Sequence, residues 1–360
     1  MKRILVVATR QIGDVLLTTP LIHAARVRWP QATIAVLGFE GTLGMLQGNP
    51  DIDELIATPP RLGWRGFITL ARRLWRSHDL ALVTQPGDRA HLMGWIAARQ
   101  RSGIIPERGP SNWWKKLLLV HAVSSGGDDG GVHVVREKLA LLAPWSPGGV
   151  APGPVVPPSP AALPADIDSL LRAGAIVVHA PSMWPYKQWP LAHFRELVAQ
   201  LLARGHQVVL TGSKGPRDQE CVAALRDLAG APDLLDVSGR LDFNQLAGLL
   251  EKAALYIGPD TSVSHLAAAC GLPVVVIFGP TNPQRWGPWP VSAGTRELFE
   301  RSMQLQRVGN VTLLQAGGLA CVPCSKAGCE DHLQSRSDCL VAITPARVLA
   351  VIPDLIRGPA

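Results

Sequence analysis

A chain of 360 residues, 47% hydrophobic and 18% charged, is long enough for two domains and apolar enough to give each a core. No stretch approaches ~18 uninterrupted apolar residues, which argues against a membrane-spanning helix. The short apolar run after Lys2 and Arg3 soon meets Arg10 and Asp14, so it reads as a buried strand of a cytoplasmic protein and not as a leader. A formal charge of +7 favours polyanionic partners, yet no basic run is dense enough for a nucleic-acid arm, leaving phosphorylated substrates and anionic lipid.

Residues 3–8 read as the first buried strand, followed by a loop holding Gly13 and Asp14. Residues 15–29 are helical, with Pro20 either opening the helix behind Thr19 or kinking one that began near Gly13. A strand at 34–37, a short helix at 43–47, a strand at 55–57, a basic helix at 63–77 and a strand at 79–84 continue the alternation. The period weakens between 103 and 147, where Trp113, Trp114, Lys115 and Lys116 form an aromatic and basic cluster. Residues 144–164 hold eight prolines and form a semi-rigid connector, which predicts a domain boundary.

Beyond it, strands are expected at 176–179, 207–210, 234–237, 254–257 and 274–278, with helices at 191–203, 216–228, 242–252 and 262–270 and a last helix at 345–356. Strands alternating with helices predict an α/β fold of parallel sheets covered on both faces. Two Rossmann-like domains then bring the carboxyl ends of their strands to a shared cleft.

The stretch from Gly258 to Pro280 is the most informative. Gly258 and Pro259 stop a strand, and Asp260, Thr261 and Ser262 are of the types that cap a helix. A helix opening at the carboxyl end of a parallel strand offers free N–H groups and partial positive charge to an anion, and His265 lies one turn on. A plain cap explains Asp260 and Thr261 equally well. Ser182 and Lys187 follow another strand, where a hydroxyl and an ammonium can meet phosphate oxygens. Gly212 and Ser213 suit a ribose or base, as does Glu220, for which a solvated helix face is the alternative. Asp14 is either a cap or a carboxylate able to take a proton from a hydroxyl. Cys321, Cys324, Cys329 and Cys339 read either as a zinc site or as a thiol-rich loop.

This constellation resembles glycosyltransferase family 9, the lipopolysaccharide heptosyltransferase family. The resemblance rests on residues 12–21 around Gly13-Asp14, on Lys187-Gln188-Trp189-Pro190, and on residues 260–269 with 273–283. It implies a GT-B fold: an acceptor-binding domain over 1–160, joined by a C-terminal helix over 345–360 that crosses back to it, and a nucleotide-sugar domain over 161–344. It further implies inverting transfer without metal or other cofactor, typically from ADP-heptose to a hydroxyl of the lipopolysaccharide inner core. In that reading Asp14 is the general base, Lys187 with Thr261 and Ser262 holds the diphosphate, and Asp260 and His265 shape the pocket. Gly13 and, by their own aromatic and basic composition, Arg61, Arg65, Lys115 and Lys116 would meet the acceptor, a lipid A-linked core at the inner face of the inner membrane, an ordinary snorkelling helix face being the alternative for the basic residues. The family commonly has Gly where this chain has Ser262, which leaves a different fit, or a different sugar nucleotide, open.

The first turn, which lacks G-x-G-x-x-G, argues against a dinucleotide-dependent oxidoreductase. The remaining alternatives are a nucleotide-sugar hydrolase or epimerase on the same scaffold and a non-catalytic sugar-nucleotide binder.

Overall fold

The structure, a computed structural model, describes residues 1–107, 112–226, 232–293 and 298–356, with side chains described up to residue 352. The chain divides into two compact units, the first over Met1–Ser159 and the second beginning at Pro160.

In the first unit β1 (Arg3–Ala8), β2 (Thr33–Phe39), β3 (Glu54–Thr58), β4 (His78–Val83), β5 (Ala98–Pro106) and β6 (His121–Ser125) form one sheet in the order β3-β2-β1-β4-β5-β6. Every neighbouring pair is parallel. Ile4 to Val7 are wholly buried, as expected of a central strand covered on both faces. Helices α1 (Ile12–Leu16), α2 (Thr19–Arg28), α3 (Trp64–Leu74), α4 (Asp88–Ala97), α5 (Trp113–Leu118) and α6 (Val134–Leu139) supply the layers. Leu21, Ile22 and Ala25 of α2 pack on one face with Ile4 and Val6. Leu70 and Leu74 of α3, with Met93 and Ile96 of α4, pack on the other with Leu5 and Val7.

Pro20 neither opens the helix directly behind Thr19 nor kinks a continuous one. The chain breaks after Leu16 and restarts with Thr18 as cap and Pro20 in the first turn, where its missing N–H costs nothing. Helix α4 and strands β5 and β6 carry no readable period in sequence. Helix α4 is apolar nearly all round, and β5 opens on Ala98 and two exposed polar residues, Arg99 and Gln100.

The second unit holds β7 (Ile176–His179), β8 (Val208–Thr211), β9 (Leu234–Asp236), β10 (Leu255–Pro259), β11 (Val274–Phe278), β12 (Leu305–Val308) and β13 (Val311–Gln315). Their order is β12-β13-β11-β10-β7-β8-β9, parallel except for the β12–β13 hairpin. That hairpin extends the sheet beyond the strands expected from sequence. Helices are α7 (Ala165–Asp168), α8 (Leu191–Ala203), α9 (Pro216–Arg226), α10 (Phe243–Lys252), α11 (Ser262–Ala269), α12 (Pro283–Trp286), α13 (Asp338–Val341) and α14 (Pro345–Ile356). Residues 227 and 228, expected to end one helix, and 357–360, expected to end another, lie outside the described residues.

Helix α14 was expected to belong with the first unit. Val348, Leu349, Val351 and Ile352 instead join Phe194, Leu197 and Trp189 in the core of the second unit, because the apolar stripe of α14 meets that of α8.

Candidate functional site

Doubly wound sheets bind ligands outside the carboxyl ends of the strands where the order reverses. In the second unit that point lies between β7 and β10, which pair in register from Leu255 with Ile176 to Ile257 with Val178. The loop leaving β7 and the turn leaving β10 therefore emerge side by side, and Lys187 Nζ donates to Asp260 Oδ2 at 2.6 Å. The Asp260 side chain is 6% exposed and that of Lys187 24%. Lys187 closes a short 3-10 turn, and the residues that follow it are anchored. Trp189 is fully buried, sets its ring edge-on to Phe194 with centroids 4.7 Å apart, and donates its indole N–H to Ile343 O at 2.8 Å. Gln188 Nε2 donates to Ala180 O at 2.6 Å, so the loop is tied across its own base.

Asp260 and Thr261 are not acting as a plain cap. Thr261 is the N-cap of α11, yet no described side chain caps that helix end, and the Asp260 carboxylate goes to Lys187. The first N–H groups of α11 are thus left to whatever anion arrives. The helix is seated from below: Ser264 Oγ donates to Pro259 O at 2.5 Å and lies 3.0 Å from the hydroxyl of the fully buried Tyr256. Burial pushes the Tyr256 phenol up, so it stays protonated and neutral under the helix. At Gly258 a Cβ would come within 2.3 Å of that same hydroxyl, which is why the turn has no side chain there. His265 is buried within α11.

The neighbouring loop after β8 is organised by its own contacts. Ser213 N donates to Asp218 Oδ2 at 2.8 Å and Ser213 Oγ accepts from Gly215 N at 3.2 Å, while Gly212 lies over Val222, Pro181 and Ser238. Glu220 is exposed on α9. Ser182 is 3% exposed and its Oγ has no hydrogen-bond partner among the described residues, a cost of about 1–3 kcal/mol unless a ligand satisfies it. At the end of β7, burial pulls the His179 imidazole down to about 4 against the opposing pull of Asp218, and its Nδ1 lies 3.0 Å from Thr211 Oγ1. A neutral His179 therefore ties the ends of β7 and β8 together.

In the first unit the strand order reverses between β1 and β4. A small crevice at their carboxyl ends is lined by Ala8, Arg10, Asp14, Val15, Thr84 and Lys138. Asp14 stands third in α1 and does not cap it; its Oδ2 lies 3.6 Å from Arg10 Nε, and its side chain is 11% exposed. Gly13, beside it, is half-buried in the same turn. Arg10, Thr18 and Lys138 are partners that the sequence did not single out. A lysine in a helix reads as solvated, and no local pattern marks its burial.

One of the acceptor residues expected from sequence is not at the surface. Lys115 is 3% exposed, donating to Pro86 O at 2.7 Å and pairing with Asp88 at 2.6 Å, so it is a tether between α5 and α4. Arg61, Arg65 and Lys116 are exposed. Among the described residues no three His, Cys, Asp or Glu side chains are grouped to hold a metal ion, although Cys321, Cys324 and Cys329 lie near enough to Cys339 to influence its thiol. Cys321 and Cys329 are exposed, whereas Cys339 is buried, and burial, helped by the neighbouring thiols, pushes its own thiol up to about 12.

Comparison with known proteins gives the chain's relatives. A family model described as glycosyltransferase family 9 (heptosyltransferase) matches residues 158–311, which include Lys187 and the head of α11. That match and the relatives below mark the chain as a glycosyltransferase. This glycosyltransferase is similar to lipopolysaccharide heptosyltransferase 3 of Escherichia coli, 28% identical over 289 residues that cover 77% of this chain and 83% of that protein. Among solved structures, the glycosyl transferase family 9 protein from Veillonella parvula superposes with a TM-score of 0.77 at 20% identity, over 99% of this chain and 98% of the other. E. coli ADP-heptose lipopolysaccharide heptosyltransferase II gives 0.71 at 22% identity, over 99% of both. These likenesses place the enzyme in the GT-B fold class.

Proposed function

We propose that the enzyme transfers a heptose from ADP-heptose to a hydroxyl of the lipopolysaccharide inner core, with inversion at the anomeric carbon. The observation that carries this reading is the convergence of Lys187 on the uncapped head of α11 at a strand-order switch point. An ammonium beside free helical N–H groups is suited to a diphosphate and to the charge that grows on it as the sugar leaves. In the proposed step the acceptor oxygen forms a bond to the anomeric carbon and the bond from that carbon to the diphosphate oxygen breaks. The acceptor proton passes to the Asp14 carboxylate, and ADP departs with the bonding electrons. Ser182, Gly212, Ser213, Thr261, Ser262 and His265 are assigned to the donor side, and Gly13 with Arg61 and Arg65 to the acceptor side. The names of the relatives support the heptosyl and lipopolysaccharide parts of this assignment.

A donor screen tests it. ADP-heptose with a truncated lipopolysaccharide core should give product with full activity in EDTA, since the charge on the leaving group is met by Lys187 and α11. Preference for another nucleotide sugar would reject the donor, and loss of activity on chelation would reject the division of labour.

The acceptor is an amphiphile, and α3 offers a face suited to the bilayer that carries it. Trp64, Ile68 and Trp75 are 70%, 38% and 59% exposed and recur at helical spacing. Arg65 stacks on Trp64 at 5.2 Å and Arg76 on Trp75 at 5.7 Å. Residues 61–76 contain five arginines and no acidic residue, and only Arg73 pairs with a described carboxylate, that of Glu54 at 2.6 Å. Aromatic rings beside arginines are the composition of an interfacial helix at anionic lipid. Co-sedimentation with phosphatidylglycerol vesicles should exceed that with phosphatidylcholine several-fold and should fall in the Trp64→Ala/Trp75→Ala variant. Equal binding to both vesicle types, or an unchanged variant, would reject this face.

A further inference from the structure

Lys138 is a buried cation that the proposed chemistry has not used. It lies on α6, 2% exposed, and such a group is stable only where its donors are satisfied. Its Nζ donates to the main-chain carbonyl of Asp14 at 2.5 Å and to Thr18 Oγ1 at 3.0 Å. The Thr18 hydroxyl in turn donates to the same Asp14 carbonyl at 2.8 Å.

The break between α1 and α2 explains why that carbonyl needs them. Leu17 N–H reaches Gly13 O at 2.9 Å, but Thr18 N–H turns back to Val15 O at 3.1 Å, so the helical donor that would serve Asp14 is missing. The carbonyl is left at the C-terminal end of a five-residue helix, where partial negative charge accumulates and a cation is favoured. Lys138 meets that need from 124 residues away and lines the same crevice as the Asp14 carboxylate.

We propose that Lys138 is a positioning residue for Asp14: by gripping the main chain of the base at the helix break, it fixes the direction in which the carboxylate is presented to the acceptor hydroxyl. This rests on Asp14 being the general base, and the test separates the two. Lys138→Met keeps the length of the side chain and removes its charge. It should lower kcat roughly 10²-fold, as displacement of a reacting group by about an ångström does, with donor KM and ADP affinity nearly unchanged. In an Asp14→Asn background the same change should cost less than about twofold, because a residue acting through Asp14 has nothing left to position.

Thr18→Val, which removes the bridging hydroxyl, should act in the same direction and carries the test if Lys138→Met does not fold. Unchanged kcat in Lys138→Met, or in Thr18→Val where that variant stands in for it, would overturn the proposal. So would an equal loss with and without the Asp14 carboxylate, which would make Lys138 an independent contributor. Normal turnover by Asp14→Asn alone would remove the base assignment and this proposal with it, and is read from that single variant.

Discussion

Asp14→Asn should bind ADP as the parent enzyme does and transfer sugar about 10²- to 10⁴-fold more slowly, the range that a lost general base produces. The asymmetry is the informative part. Asp14 lies in the first unit at the β1–β4 switch point, whereas Lys187 and the head of α11 belong to the second. The substitution keeps the side-chain shape and its distance from Arg10, so the fold is not put at risk. Calorimetry with ADP and single-turnover kinetics with the core acceptor check the two halves independently. A variant that turns over normally would leave the crevice without a catalytic role.

Lys187→Ala should injure both stability and donor binding, for different reasons. Removing the ammonium strands the Asp260 carboxylate, whose side chain is 6% exposed, and breaking such a pair costs about 3 kcal/mol. Loss of a charge-assisted contact to the diphosphate should weaken ADP binding by about 10- to 100-fold. The two effects part company in Lys187→Ala/Asp260→Asn, where no uncompensated charge remains. Thermal unfolding should return most of the way to the parent value, while calorimetry should still find weak nucleotide binding. Recovery of affinity together with stability would mean that Lys187 serves only to hold Asp260 in place.

The motif around the head of α11 was legible because its punctuation is local. Gly258 and Pro259 end a strand, Gly271 and Pro273 end a helix, and the wholly apolar run from Val274 to Phe278 admits little but a buried strand. Lys187 and Asp260 were recognisable as residue types, but not as a pair. Their union depends on β7 and β10 lying side by side, a non-sequential pairing that no local pattern encodes. Helix α4 escaped notice because residues buried nearly all round, including Ala90, His91, Met93, Ile96 and Ala97, leave no stripe to read. Lys115 and Lys138 mark a different boundary. In sequence each resembles any solvated helix lysine, yet each turns inward to a carbonyl elsewhere in the unit, Pro86 for one and Asp14 for the other.

The indole of Trp189 has a consequence reaching to the end of the chain. Its hydrogen bond to Ile343 couples the lysine-bearing turn to the segment that launches α14, and α14 lends the same core its own aliphatic side chains. The tail is thus a brace for the turn that bears Lys187, remote in sequence yet continuous with it through the core. Trimming or fusing the enzyme at its C-terminus would be felt first as slackness around Lys187.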